Sequence, residues 1–239
     1  VRDSVTLTSV STVPAADAVV TVCESPVGAH VGLSYRADDA GARRHLHLAF
    51  HFRLRNDEAP DDDALWVVPG LDEFALADVR KLARLIAQRH ADGLIPYAFQ
   101  KGAARFSEAG VLELSGSLGL TCATFVEIVF ACAHVPLLDA ATWEANRSPA
   151  RRAEDEAAQR RLVAYLRAIP GAERHAALVE KEIPCTRIRA EEVAAASGLT
   201  GHPIPFARAE PEGARILAAV QAPRKREGEA SSVEPAPEA

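Results

Sequence analysis

Residue types able to carry covalent chemistry are few in this chain, with four cysteines and eight histidines among 239 residues. Cys122 stands apart from the other thiols. It follows the glycine-rich run SGSLGL and opens the apolar stretch CATFVEIVFACAHV, so it reads as the first residue of a helix. Free backbone N–H groups at a helix start present roughly half a positive charge, which favours thiolate over thiol, and the thiolate is the nucleophile. The amides of Thr121 and Cys122 at that same start could form part of an oxyanion hole. The plainer reading is that Cys122 is one more small buried apolar residue. Cys23, Cys132 and Cys185 are read that way.

A thiol nucleophile needs a base, and the histidines cluster upstream. In AHVGLSYR, His30, Gly32 and Ser34 share one face of a strand, opposite Val31, Leu33 and Tyr35. In RHLHLAFHFRLR, His45, His47, Ala49 and His51 oppose Leu46, Leu48, Phe50 and Phe52. A tight turn over residues 37–40, within DDAG and its neighbours, pairs Arg36 with Gly41 and sets His30 directly across from His47. Paired side chains in such a hairpin lie about 5 Å apart, close enough for one imidazole to orient the other. Two other readings of these histidines stand beside this one. His45, next to Arg43 and Arg44, could be a solvated surface residue. H-x-H followed by His51 could bind zinc through three imidazoles, although no carboxylate or cysteine partner stands at ligand spacing.

The elements that must hold these residues follow from periodicity. Strands are expected at 17–23, 29–36, 44–55 and 65–69, with the acidic NDEAPDDD at 56–63 as a solvated loop. Val79, Leu82, Ala83 and Ile86 recur at helical spacing and predict a one-sided helix ending before Asp92-Gly93. Residues 101–120 read as irregular. The 122–135 stretch is apolar nearly all round, with Glu127 its one charge, so it reads as a central buried helix. Ser148-Pro149 supplies an N-cap and a first-turn proline for a charged helix running toward Ile169. Shorter helices are expected at 172–181, 190–196 and 209–221 around a strand at 183–189. The tail from Pro223, nearly devoid of apolar residues, reads as disordered. The expected whole is an α+β protein with one domain over 1–222, its core at about 17–135 and a helical extension over about 148–222.

Composition narrows the class. The chain is 48% hydrophobic and 25% charged, with net charge −6, which is ordinary for a globular protein and excludes collagen-like or wholly disordered chains. The acidic balance argues against nucleic-acid binding, which takes a basic face. Scattered cysteines without C-x-x-C spacing argue against a disulfide framework or a zinc ribbon. No apolar run of spanning length occurs, and residues 1–23 lack the pattern of a secretory signal. A reduced, cytoplasmic protein with no membrane span is expected.

The pair AHVGLSYR and LHLAFH, followed much later by TCATFV at a helix start, resembles the circularly permuted branch of the NlpC-type papain-like superfamily, to which the lecithin–retinol acyltransferase relatives belong. The resemblance covers roughly residues 20–135. It implies an antiparallel sheet packed on a central helix that bears the nucleophile. It also implies Cys122 as nucleophile, His30 as general base and His47 as the residue that orients the base, with Phe125 and Val126 as packing positions. Thr121 stands where that family has asparagine. Acyl transfer through a thioester follows, with no metal or organic cofactor required and a peptide, amide or acyl substrate. The expected activity is an amide, peptide or isopeptide hydrolase, with a lipid or thioester acyltransferase as the second reading. A third is a binding module that keeps the frame without the catalysis.

Overall fold

Alternating β-branched and apolar residues in the first third of the chain build an antiparallel sheet, seen in a computed structural model that describes residues 4–9, 16–26, 28–38, 41–58 and 64–222. The strands are β1 (Leu7–Ser9), β2 (Ala18–Ser25), β3 (Gly28–Arg36), β4 (Arg43–Phe50), β5 (Arg53–Asp57) and β6 (Leu65–Val67), in the order β1-β6-β2-β3-β4-β5. One face carries Val20, Val22, Val31, Leu33, Leu46 and Leu48, all buried in the core. The other carries Thr21, the β3–β4 histidines and Ser34. The expected α+β class and antiparallel sheet are present.

Two details of the hairpin differ from expectation. The β3–β4 connection is longer than a four-residue turn, closing with the Ala37 N–H donating to the Ala42 carbonyl, and Arg36 pairs with Arg43 rather than Gly41. The register is thus shifted by two residues, which preserves which face each side chain occupies. Strand 44–55 is also two strands. The chain reverses at His51 and Phe52, with Phe52 at φ 53°, and β5 runs back along β4 so that Asp57 faces His45. The reversal is set from outside, because the Phe52 and Leu54 N–H groups donate to the Ile95 and Gly93 carbonyls. Asn56 and Asp57 of the expected loop therefore belong to β5, and residues 59–63 lie outside the described residues.

Helix α1 (Glu73–Arg89) is capped by the Asp72 carboxylate, which accepts the Ala75 N–H, and buries Leu76, Val79, Leu82, Ala83 and Ile86. Segment 101–120 contains a small hairpin, β7 (Arg105–Phe106) with β8 (Leu112–Glu113). Helix α2 (Cys122–Cys132) is buried nearly all round and packs on β3 and β4. Burying Phe125, Val126 and Phe130 contributes about 1.5–3 kcal/mol each. Its lone acid, Glu127, is buried against the Lys101 ammonium at 2.5 Å. The helix stops at Cys132 rather than 135. His134 turns to φ 63°, and Val135 precedes Pro136, which disfavours helical backbone.

The C-terminal half adds α3 (Ala141–Asn146), α4 (Pro149–Arg167), α5 (Glu173–Glu180), α6 (Ala190–Gly198) and α7 (Phe206–Gln221). Ser148 caps α4 ahead of Pro149 as expected. Segment 183–189 is not a strand. Its carbonyls are taken by side chains, Cys185 by the Gln159 amide and Arg187 by the Arg147 guanidinium, so no ladder forms. Helix α6 is buried along its whole length against the sheet and α2, which makes it part of the central core. A buried lattice of Arg147, Glu192, Asp155 and Arg189 ties α4 and α6 together, with the Trp143 indole N–H donating to Glu192. Among the described residues no helix is long and apolar enough to cross a membrane. The tail from Pro223 lies outside the described residues.

Candidate active site

Alternation places His30 and His47 on the face opposite the leucines, while α2 packs on the leucine face. Contact between them requires an opening in the sheet. The β3–β4 ladder supplies it, because its pairing runs from Arg36–Arg43 only to Leu33–Leu46. Beyond that point β3 and β4 form no further ladder pairs, and Cys122 at the N-terminus of α2 meets the His30 ring and the Val31 N–H there.

Cys122 is half-buried there. Burial opposes its ionisation, but the His30 ring, by charge and by hydrogen bond, the Val31 backbone N–H and the Arg187 guanidinium outweigh it. The thiol pKa falls below the ordinary value. The other characterised thiols go the opposite way. Burial raises Cys132, and burial together with Glu182 pushes Cys185 up to about 11.

Behind Cys122 runs a line of hydrogen bonds. His30 Nε2 lies 2.8 Å from His47 Nδ1, and His47 Nε2 lies 3.1 Å from Asp57 Oδ2. One proton per link gives a consistent polarity. His47 donates from Nε2 to the Asp57 carboxylate, its bare Nδ1 accepts from His30 Nε2, and His30 keeps Nδ1 as the acceptor for the thiol proton. Burial raises the Asp57 pKa, but its bond to His47 and the charge of Arg55 more than reverse that, so Asp57 stays ionised. Burial and the nearby His30 charge lower His47, with Asp57 working against them.

His45 is buried rather than a solvated surface residue, and it joins this group as a spacer. Its ring stacks on His47 with centroids 4.6 Å apart and planes 10° from parallel, and its Nε2 is 2.8 Å from Thr21 Oγ1. Burial, then His47 and His30, bring its pKa down to about 3, so it is neutral throughout the working range. Gly32 makes the stack fit. A methyl group there would come within 2.3 Å of His45 Nε2 and 2.9 Å of His47 Cβ.

His51 is not a third member of the line or of a zinc site. It lies in the β4–β5 turn, where its Nδ1 accepts the Tyr97 N–H at 3.1 Å and its ring meets His175 at 4.5 Å. The three rings of His45, His47 and His51 therefore do not converge. Among the described residues, no group of three or more His, Cys, Asp or Glu side chains is arranged to hold a metal. Thr121 also takes another role. Its hydroxyl accepts the Thr124 N–H and its own N–H donates to Thr124 Oγ1, so this capping box uses the amide considered for an oxyanion. The Cys122 N–H, at the first turn with no intrahelical acceptor, remains.

The gap opens into a cleft of about 410 Å³ that holds Cys122 and His30. Leu48 and Phe50 of β4 line one wall, and Leu162, Tyr165 and Ile169, on and just after α4, line another. Tyr97 and Arg187 reach it from two loops. Asp57, Tyr97 and Arg187 were not singled out by the sequence reading. The period-2 run RLRND could have placed Asp57 on the histidine face had the turn at His51 been seen. Nothing local marks Tyr97 or Arg187. No family model matches the chain, and neither does any curated protein or solved structure.

Proposed function

We propose that this chain is a cysteine-dependent acyl-transfer enzyme, an amide, peptide or isopeptide hydrolase acting through a thioester, built on the permuted papain-like plan. The observation that supports it best is the unbroken line from the Cys122 thiol through His30 and His47 to Asp57. Cys122 loses its proton to His30 Nδ1, and the thiolate attacks the substrate carbonyl carbon. The Cys122 N–H is placed to donate to the resulting oxyanion. Imidazolium His30 returns its proton to the leaving nitrogen or oxygen as the thioester forms. Water then gives a proton to His30 while attacking the thioester, releasing the acid and the thiol. His47 and Asp57 hold the His30 ring and stabilise its charged form, as a carboxylate does behind a catalytic imidazole. The apolar walls of the cleft also fit a lipid or thioester acyltransferase, in which an alcohol or amine replaces that water.

Limiting iodoacetamide at about pH 6.5, two units below the ordinary cysteine pKa, tests this reading. Cys122 should be alkylated well ahead of Cys132 and Cys185, and the advantage should vanish in His30→Ala. Equal labelling of Cys122 and Cys132 in the native protein would rule the proposal out.

A further inference from the structure

Arg187 has a guanidinium that acts on Cys122, Asp155 and Glu191 through its charge but is held by none of them in a hydrogen bond. It is half-buried and lines the cleft that holds Cys122 and His30. Among the described residues, no acceptor lies within hydrogen-bonding distance of its side chain. Its neighbours Arg147 and Arg189 behave differently, since each is locked to buried carboxylates at 2.8 Å. A charge taken partly out of water without a hydrogen-bonded acceptor is costly, so a cation held this way at a reaction cleft is suited to an anionic ligand.

The surrounding structure holds Arg187 in place. Arg147, itself bidentate on Glu192, also donates to the Arg187 carbonyl. Its backbone is thereby tied to the buried lattice between α4 and α6. Arg53, exposed at the start of β5, adds a second cation at the same cleft. The remaining lining is largely apolar, from Leu48, Phe50, Leu162 and Ile169.

Resting on the acyl-transfer reading, we propose that Arg187 is the specificity-determining residue that binds a carboxylate on the leaving group. The substrate is then an amphiphilic acid, an N-acyl amino acid or a peptide ending in a free carboxylate. Its apolar acyl half lies along Leu48, Phe50, Leu162 and Ile169 and stays as the thioester. Its charged half is held by Arg187 until the bond breaks. The planar guanidinium matches a carboxylate through two parallel hydrogen bonds, a geometry lysine cannot reproduce.

The test uses the nitrophenyl ester of octanoic acid and its ring-carboxylated analogue, which differ by one carboxylate on the leaving group. Both are assayed on the full chain, Cys122→Ala, Arg187→Gln and Arg187→Lys. The unsubstituted chain should favour the carboxylated ester in kcat/KM by on the order of tenfold to a hundredfold, as for a charged hydrogen-bond pair. Arg187→Gln should abolish that preference and Arg187→Lys restore part of it. Arg187 also acts on the thiol, so removing it slows both esters, and the ratio isolates recognition from reactivity. A preference that is absent in the unsubstituted chain, or that survives in Arg187→Gln, overturns the assignment while leaving the enzyme reading intact. If neither ester shows Cys122-dependent turnover, the acyl-transfer reading itself falls. A second measurement needs no turnover: octanoylglycine should slow iodoacetamide labelling of Cys122 more than octanoylglycinamide does, and equal protection counts against Arg187.

Discussion

Two pairs of histidines, one along β4 and one just beyond its C-terminal end, are used in opposite ways. His30 and His47 are bonded ring to ring, with a thiol at one end and an ionised carboxylate at the other. His51 and His175 lie 4.5 Å apart and are spent on the backbone, His51 accepting the Tyr97 N–H and His175 donating to the Tyr97 carbonyl at 2.7 Å. The first pair can pass and hold a proton. The second clamps the Tyr97 backbone on both sides and thereby fixes the Tyr97 ring in the cleft. Burial alone does not separate them, because it lowers the pKa of both His47 and His51. What separates them is whether the far nitrogen finds a charged group or an amide.

The sharpest way to break this contrast is to remove the reacting end. Cys122→Ala and His30→Ala should each lower turnover of an activated ester by on the order of a thousandfold or more, whereas His175→Ala should leave it within about tenfold. Comparable losses from His175 and His30 would show that the two pairs do not differ in kind.

A smaller effect is expected one link back. His47→Gln and Asp57→Asn should each reduce kcat by on the order of tenfold to a hundredfold, the range for groups that hold a metal-ligating imidazole in place. Both should leave Cys122 alkylation nearly as fast as before, since His30 still faces the thiol. An unaffected kcat in both variants would remove them from the line.

Gly32→Ala tests how the first pair is packed. The added methyl must displace His45 and His47, at a cost of about 1–3 kcal/mol. Urea unfolding should show that loss together with slower turnover, and Gly32→Ala with unchanged stability and rate would mean the stack is not tight.

The mildest prediction concerns the second pair and acid. Burial, then His175, hold His51 down at about 4, while an unfolded chain returns it to about 6.5. Between these values the unfolded state binds the extra proton. Stability contributed by neutral His51 is therefore complete above about pH 6.5, falls as pH drops toward 4, and falls no further below that. Part of this fall, on the order of 1–2 kcal/mol between pH 7 and 5, should be missing in His51→Gln. Identical pH slopes of unfolding free energy in the two proteins would contradict the assignment.

How far the sequence reaches depends on the range of the interaction. Cys122 at a helix start and the shared face of His30 and His47 were legible because both follow from local periodicity. The two-residue slip in register was not, since it depends on a loop that carries no marker of its length. The reversal at His51-Phe52 was hidden for a related reason. It lacks glycine, asparagine or proline, and carbonyls of residues 93 and 95 hold it in place. Arg187 was the furthest from view, because it reaches the thiol through tertiary packing and the segment around it imitates a strand in composition.

The connection between β3 and β4 sets a rule for tolerated changes of length. Two residues added to or removed from 37–42 slide β4 by one full side-chain repeat, so its histidines stay on their own face. A single insertion or deletion exchanges the faces, driving His45 and His47 into the leucine layer and bringing Leu46 and Leu48 out against His30. Functional descendants should therefore keep the register and absorb any change of length within the loop, because even a two-residue slide moves His47 off His30.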